Sequence, residues 1–260
     1  MATVISVSNQ KGGVAKTTTA ANLATGLARH GKRVLAIDAD PQHSLTVSLG
    51  VTAPDKLTTT LATVIHGIIN DADIDPASGI IHHVEGADLM PANISLANTE
   101  LALVNAMSRE TVLRQYIDAV RPLYDFVVID TPPSLGMLTV NALAASDIVI
   151  VPVAARFLDA KGLELLLKSI SQIQRKINRN LAISGILLTM VDRRANFTRE
   201  IITLIEGAYG GNIRIFDEHI PRSVRAAESS ATGKSVFTHE PTGKVAAAYE
   251  SLVREVLKSA

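Results

Sequence analysis

Short apolar runs separated by amphipathic stretches recur along most of the chain. "TVISVS", "RVLAID", "DFVVIDTPP", "DIVIVPV" and "LAISGILLTMV" each read as a strand, being apolar, rich in β-branched residues and bounded by turn residues. Helical periodicity between them predicts helices over about residues 16–29, 137–145, 160–177 and 198–209, with "IRIF" at 213–216 as a further short strand. Apolar strands alternating with helices predict βαβ units and an α/β fold: a doubly wound, mainly parallel twisted sheet with helices on both faces. No internal repeat, low-complexity tract or Pro/Ser-rich linker breaks the pattern, so residues 1–260 are expected to form one domain. The last segment, "VAAAYESLVREVLKSA", puts Val245, Tyr249, Leu252, Val253 and Val256 on one helical face. Its charges are mixed, which fits core packing; a membrane-surface helix would be dominated by Lys and Arg and carry bulky aromatics.

Composition narrows the function classes. Hydrophobic residues make up 47% of the chain but aromatics only 3%, with no tryptophan, so the core must be aliphatic. The absence of cysteine removes disulfides, thiolate catalysis, zinc-thiolate sites and cysteine-ligated iron–sulfur clusters. No apolar run approaches the roughly 18 residues of a membrane span, and no basic n-region precedes the first strand, so a cytoplasmic protein without membrane contact is expected. The net charge of zero conceals an asymmetry: residues 1–150 carry 9 Lys+Arg against 14 Asp+Glu, and residues 151–260 carry 16 against 11. Chance variation among solvated faces and a basic surface for a polyanion both fit that balance.

The chemistry concentrates after the first strand, in "SNQKGGVAKTTT". A generic phosphate loop has Gly, four residues, then Gly-Lys-Ser/Thr. Counting back from Lys16 and Thr17, Gln10 and Ala15 occupy the two glycine positions, while Gly12 and Gly13 lie between them. A glycine turn joining a buried strand to a helix still offers inward-facing amides and a helix N-terminus to an anion. Lys16 would reach the β- and γ-phosphates, and Thr17 would ligate Mg²⁺. Alone, the loop leaves an ordinary glycine turn standing. Asp38 and Asp40 after "VLAI", and Asp130 after "FVVI", add carboxylates at strand ends, where an α/β sheet binds its ligand.

"KGGVAKTTT", "DADPQ" and "DTPPS", in this order and spacing, resemble the deviant P-loop ATPases of the ParA/Soj partition family. "KGLELLLKSI" and "IPRSVRAAESSATGKSV" extend the likeness over nearly the whole chain. The resemblance implies a nucleotide site formed by Lys11, Gly12, Gly13, Val14, Ala15, Lys16, Thr17 and Thr18, with Pro221 against the adenine. It implies that Lys11 reaches the phosphates of a partner subunit across an ATP-sandwiched homodimer. Asp40 would position or activate the attacking water, and Asp38 and Asp130 would support Thr17 in the Mg²⁺ shell. The implied cofactors are ATP and Mg²⁺. In such a protein the ATP-bound dimer binds double-stranded DNA without sequence preference, through Arg193, Arg194, Arg222 and Arg225 and more loosely Lys234 and Lys244. A ParB-like centromere-binding protein stimulates slow hydrolysis and releases the dimer from the nucleoid.

Some features depart from that pattern. His43-Ser44 follows "DPQ" where the family usually has glycine, and His43 is expected to cap the next helix. His82-His83 resembles a metal pair only superficially and is expected to lack the acid or third histidine that would complete a metal site. No DNA-reading domain precedes the loop, which points to the small ParA-like form without operator-specific autoregulation. The same engine could position another cargo on the nucleoid, and a nucleotide-dependent scaffold without hydrolysis is the non-enzymatic alternative.

Overall fold

β-Branched runs buried on both faces make the centre of this molecule. The computed structural model describes residues 1–73, 75–155, 160–192 and 194–259. From the N-terminus come β1 (Thr3–Val7), α1 (Lys16–Arg29), β2 (Val34–Asp38), α2 (Ser44–Ser48) and α3 (Leu61–Ile69). Next are β3 (Ile81–His82), β4 (Asp88–Met90), α4 (Leu96–Asn105), α5 (Val112–Val120), β5 (Phe126–Asp130) and α6 (Met137–Ala145). The chain continues through β6 (Ile148–Ala154), α7 (Ala160–Lys176), β7 (Ala182–Thr189) and α8 (Asn196–Tyr209). It ends with α9 (Val224–Ala231), α10 (Val236–His239) and α11 (Lys244–Ser259).

The strands form one seven-stranded sheet in the order β3-β4-β2-β5-β1-β6-β7. Every pairing is parallel except β3 against β4 at one edge. Alternation along each strand divides the core. Ile5, Val7, Val34, Ala36 and Val128 face α1 and α11, whereas Val4, Leu35, Ile37, Val127 and Ile129 face α3, α5 and α6. On that second face, Val149, Val151 and Leu188 pack under α7 and α8. Helices cover both faces, as the strand pattern predicts. The face of α11 formed by Val245, Tyr249, Leu252, Val253 and Val256 is buried against the sheet core, as expected.

Two local expectations change. "IRIF" forms no strand: Ile215 makes a single parallel bridge to Ile186, held by Ile186 N–H to the Arg214 carbonyl and Phe216 N–H to the Ile186 carbonyl. Contrary to the expectation for His82, acids stand close by in sequence: Glu85 is three residues on, and Asp88, six residues on, faces it across the β3–β4 pair, where His82 Nδ1 lies 2.5 Å from Asp88 Oδ1. Among the described residues no helix is long and apolar enough to cross a membrane.

Candidate functional site

The register places the acids. Val7, Asp130 and Asp38 stand in one row at the C-terminal ends of the adjacent strands β1, β5 and β2. Because β1 lies centrally, the loop leaving it opens beside both carboxylates, at the end of the sheet where α/β proteins bind ligands.

That loop runs from Ser8 into α1. Gly13 has φ 69°, and Ala15, the residue before the helix, has φ 64° and ψ 32°. Ala15 therefore occupies the left-handed conformation at a cost of about 1–2 kcal/mol for its Cβ, and the missing glycine is a real departure. No side chain caps α1, so its first-turn amides remain available to an anion beyond the helix end. Lys16 is buried to 7% exposure and its Nζ donates to the Lys11 carbonyl at 2.9 Å, folding back over Gly12 and Gly13. Burial holds the Lys16 ammonium below its ordinary pKa, although Asp130 and Asp40 act in the opposite direction. A polyanion in the loop would favour the charged ammonium further. Val14 is buried, and Thr18 continues the first turn, its carbonyl accepting from Asn22.

The three acids have different tasks. Asp130 is fully buried and accepts from Thr17 Oγ1 at 2.6 Å through Oδ2, while its Oδ1 has no partner. Burial pushes its carboxyl well above the usual range and Asp38 adds to this, while Thr17 and Lys16 oppose. A hydroxyl, an orphaned carboxylate oxygen and an adjacent lysine fit a hard divalent cation shared with phosphate oxygens. Among the described residues no cluster of three or more His, Cys, Asp or Glu forms a protein-only metal cage. Asp38 is already engaged: Oδ2 accepts from Thr46 N–H and Oγ1, both at 2.7 Å, and Oδ1 accepts from Asp40 N–H at 3.2 Å. Burial raises its pKa to about 6 against those hydrogen bonds. Asp40 is 7% exposed, and its Oδ1 accepts from Gln42 N–H at 2.9 Å.

His43 takes the position before α2 but its side chain does not cap the helix; Nδ1 lies 3.2 Å from the Pro41 carbonyl instead. Its φ of 46° shows why glycine suits this position.

Several supporting residues escaped the sequence reading. Asn9 accepts from Lys11 N–H at 3.0 Å and donates to the Pro152 carbonyl at 2.7 Å. Gln10 donates to the Gly162 carbonyl, and Thr189 Oγ1 donates to the Val14 carbonyl at 3.1 Å. Asn9 and Gln10 sit inside the motif, but nothing in the spacing tells what they hold.

Pro221 lines an open cleft of about 650 Å³ with Val191, Asp192, Arg194, Arg222 and Lys244. The cleft begins two residues beyond Thr189, whose hydroxyl touches the phosphate loop. Arg194, Arg222, Arg225, Lys234 and Lys244 are exposed, and Arg225 lies 3.6 Å from Glu228. Arg193 lies outside the described residues.

Known proteins supply an independent comparison. The family profile of an AAA domain matches residues 2–183. The chain is 40% identical over 257 residues to the sporulation initiation inhibitor protein Soj of Bacillus subtilis, covering 98% of each chain. It is 40% identical over 254 residues to the chromosome-partitioning ATPase Soj of Thermus thermophilus, covering 97% of this chain and 94% of that one. A crystal structure named cobyrinic acid a,c-diamide synthase from Mycobacterium smegmatis, with bound ATP analogue and magnesium, superposes with a TM-score of 0.87. It is 35% identical, covering 99% of this chain and 95% of that one.

Proposed function

We propose a function from one premise: the chain belongs to the ParA/Soj-type P-loop partition ATPases. It is a nucleotide-binding ATPase-type protein, and its proposed activity is slow ATP hydrolysis by a dimer that binds DNA and segregates a plasmid or chromosome. The observation that carries this reading is the convergence of an uncapped helix N-terminus, Lys16 and the unpaired Asp130 oxygen at the ends of β1 and β5.

ATP is the proposed substrate, with its phosphates in the loop of Lys11, Gly12, Gly13, Val14, Ala15, Lys16, Thr17 and Thr18. Its base lies toward Pro221. Thr17 and Asp130 are the proposed holders of Mg²⁺, with Asp38 bracing the neighbouring turn through Thr46 and Asp40. When bound, the ion neutralises phosphate charge. Lys16 leaves the Lys11 carbonyl for the phosphates, and Asp40 orients the attacking water. Lys11 completes the site of a second copy, so hydrolysis waits for dimerisation. The dimer binds nonspecific double-stranded DNA through Arg194, Arg222 and Arg225, and a ParB-like partner stimulates turnover. The same reading makes the chain a single ATPase domain, located in the cytoplasm on the nucleoid.

The decisive measurement is phosphate release with and without nonspecific DNA and the product of the adjacent gene. Asp40→Ala is expected to abolish turnover and trap an ATP-bound dimer on DNA. Lys11→Ala is expected to keep nucleotide binding and lose the dimer. Normal hydrolysis by both variants would overturn the mechanism. The name of the M. smegmatis structure points to amide formation driven by ATP. That reading needs a carboxylic acid acceptor and a nitrogen donor, so phosphate release with DNA and partner alone separates the two.

A further inference from the structure

The loop solves a problem that its own sequence creates. Ala15 sits at φ 64° where a glycine would be at ease. A rotation of the Val14–Ala15 peptide by roughly 180° changes ψ of Val14 and φ of Ala15 together and returns Ala15 to negative φ. That rotation would also turn the Val14 carbonyl toward the anion position and remove the Ala15 amide from it. Relief of strain and loss of the phosphate cradle are the same movement. The hydroxyl of Thr189 opposes it. From the end of β7, Oγ1 donates to the Val14 carbonyl at 3.1 Å, with Thr189 at 0% and Val14 at 3% exposure. A flipped peptide would leave this buried hydroxyl without its acceptor. The front of the loop is held separately by Asn9, which links the Lys11 amide to the Pro152 carbonyl of β6.

We infer that Thr189 is a positioning residue for nucleotide binding: its hydroxyl locks the Val14–Ala15 peptide in the phosphate-accepting orientation against the strain of Ala15. The inference deepens the phosphate-loop reading above and rests on it. It assigns the last residue of a strand remote in sequence to the shape of the cradle. It also states why this chain tolerates alanine there.

A double-mutant cycle read by calorimetric titration with Mg·ADP tests it. Thr189→Val keeps the β-branched shape favoured in strands and removes only the hydroxyl. Its Kd for Mg·ADP is expected to rise about tenfold, the worth of one buried hydrogen bond. Thr189→Ser should stay within about twofold of the parent, because the donor survives. With Ala15→Gly in place the pressure to flip is gone, and Thr189→Val should then cost about threefold or less. Equal losses in both backgrounds, or no loss in either, would overturn the inference. If Thr189→Val does not fold, as judged by circular dichroism and melting, Asn9→Ala takes its place in the cycle with the opposite expectation. Asn9 holds a different peptide, so its loss should be untouched by Ala15→Gly; rescue there would sink the local-lock account. Failure of the parent protein to bind Mg·ADP would instead remove the phosphate-loop reading, and this inference with it.

Discussion

Asp38 holds a turn with both oxygens while buried beside a second carboxylate, and its stability contribution follows from that position. Its folded pKa of about 6 lies above the ordinary 3.8. The favourable contribution is therefore complete below 3.8 and is lost as pH rises through about 6, because only the unfolded chain ionises freely in that interval. Asp38 alone should withdraw up to about 3 kcal/mol across that window in the nucleotide-free protein. Urea unfolding at a series of pH values should show the slope, and Asp38→Asn should reduce it, leaving the part that the buried Asp130 contributes in the same direction. At the same turn, His43→Gly should raise the unfolding free energy by up to about 1 kcal/mol, since relief of left-handed strain outweighs the added chain entropy. An unchanged urea midpoint for His43→Gly would mean that the ring's position at the Pro41 carbonyl compensates. Lys16 was legible from its spacing within the glycine-bearing loop, and Asp38 and Asp130 because each terminates an apolar run, so the fold class fixes where they lie. Asn9 and Thr189 were not. Their partners lie 143 and 175 residues away, and only the sheet order brings them together.

Between elements, α1 packs tightly against α10 and α11 at Gly26. A Cβ there would stand 2.5 Å from Val253 Cγ2 and 3.1 Å from the Phe237 ring. Gly26→Ala is expected to destabilise by about 1–3 kcal/mol despite alanine's better helix propensity, because the helices must separate. Val253→Ala, destabilising alone, should recover part of that loss when combined with it. A thermal melt of the four proteins checks the coupling, and simple additivity would refute it. The long elements were legible from periodicity: α1, α6 and the five principal strands fall where the apolar pattern puts them. The region between α2 and α5 was not assigned, since β3 and β4 have 2 and 3 residues and α3 is apolar around most of its circumference. Such short strands show no alternation and are defined by their neighbours. "IRIF" erred the other way, carrying a strand's composition without a second strand to extend its single bridge.

At the scale of the molecule, zero net charge is divided between an acidic N-terminal portion and a basic C-terminal one. Exposed Arg194, Arg222 and Lys244 gather around one cleft, with Asp192 and Glu218 in the same lining. If the ATP-bound dimer engages about four phosphates, raising salt from about 50 to 200 mM should lower its DNA affinity by roughly a hundredfold. Fluorescence anisotropy with two unrelated duplexes would measure this, and a salt-insensitive or sequence-dependent affinity would contradict phosphate-only recognition. Few aromatics are present for base stacking, 3% of the chain, which favours that outcome.

The two borders of the sheet have a consequence for crowding. At one border the two-residue β3 runs antiparallel and carries an exposed His82; at the other, backbone of the segment holding Ile215 and Pro221 already bonds to β7 or the residues just beyond it. Among the described residues, neither border offers a long row of open amides and carbonyls to another chain. If the protein gathers on DNA as proposed, strand-to-strand polymerisation into fibres finds no template at these borders, and assembly is left to the proposed nucleotide faces.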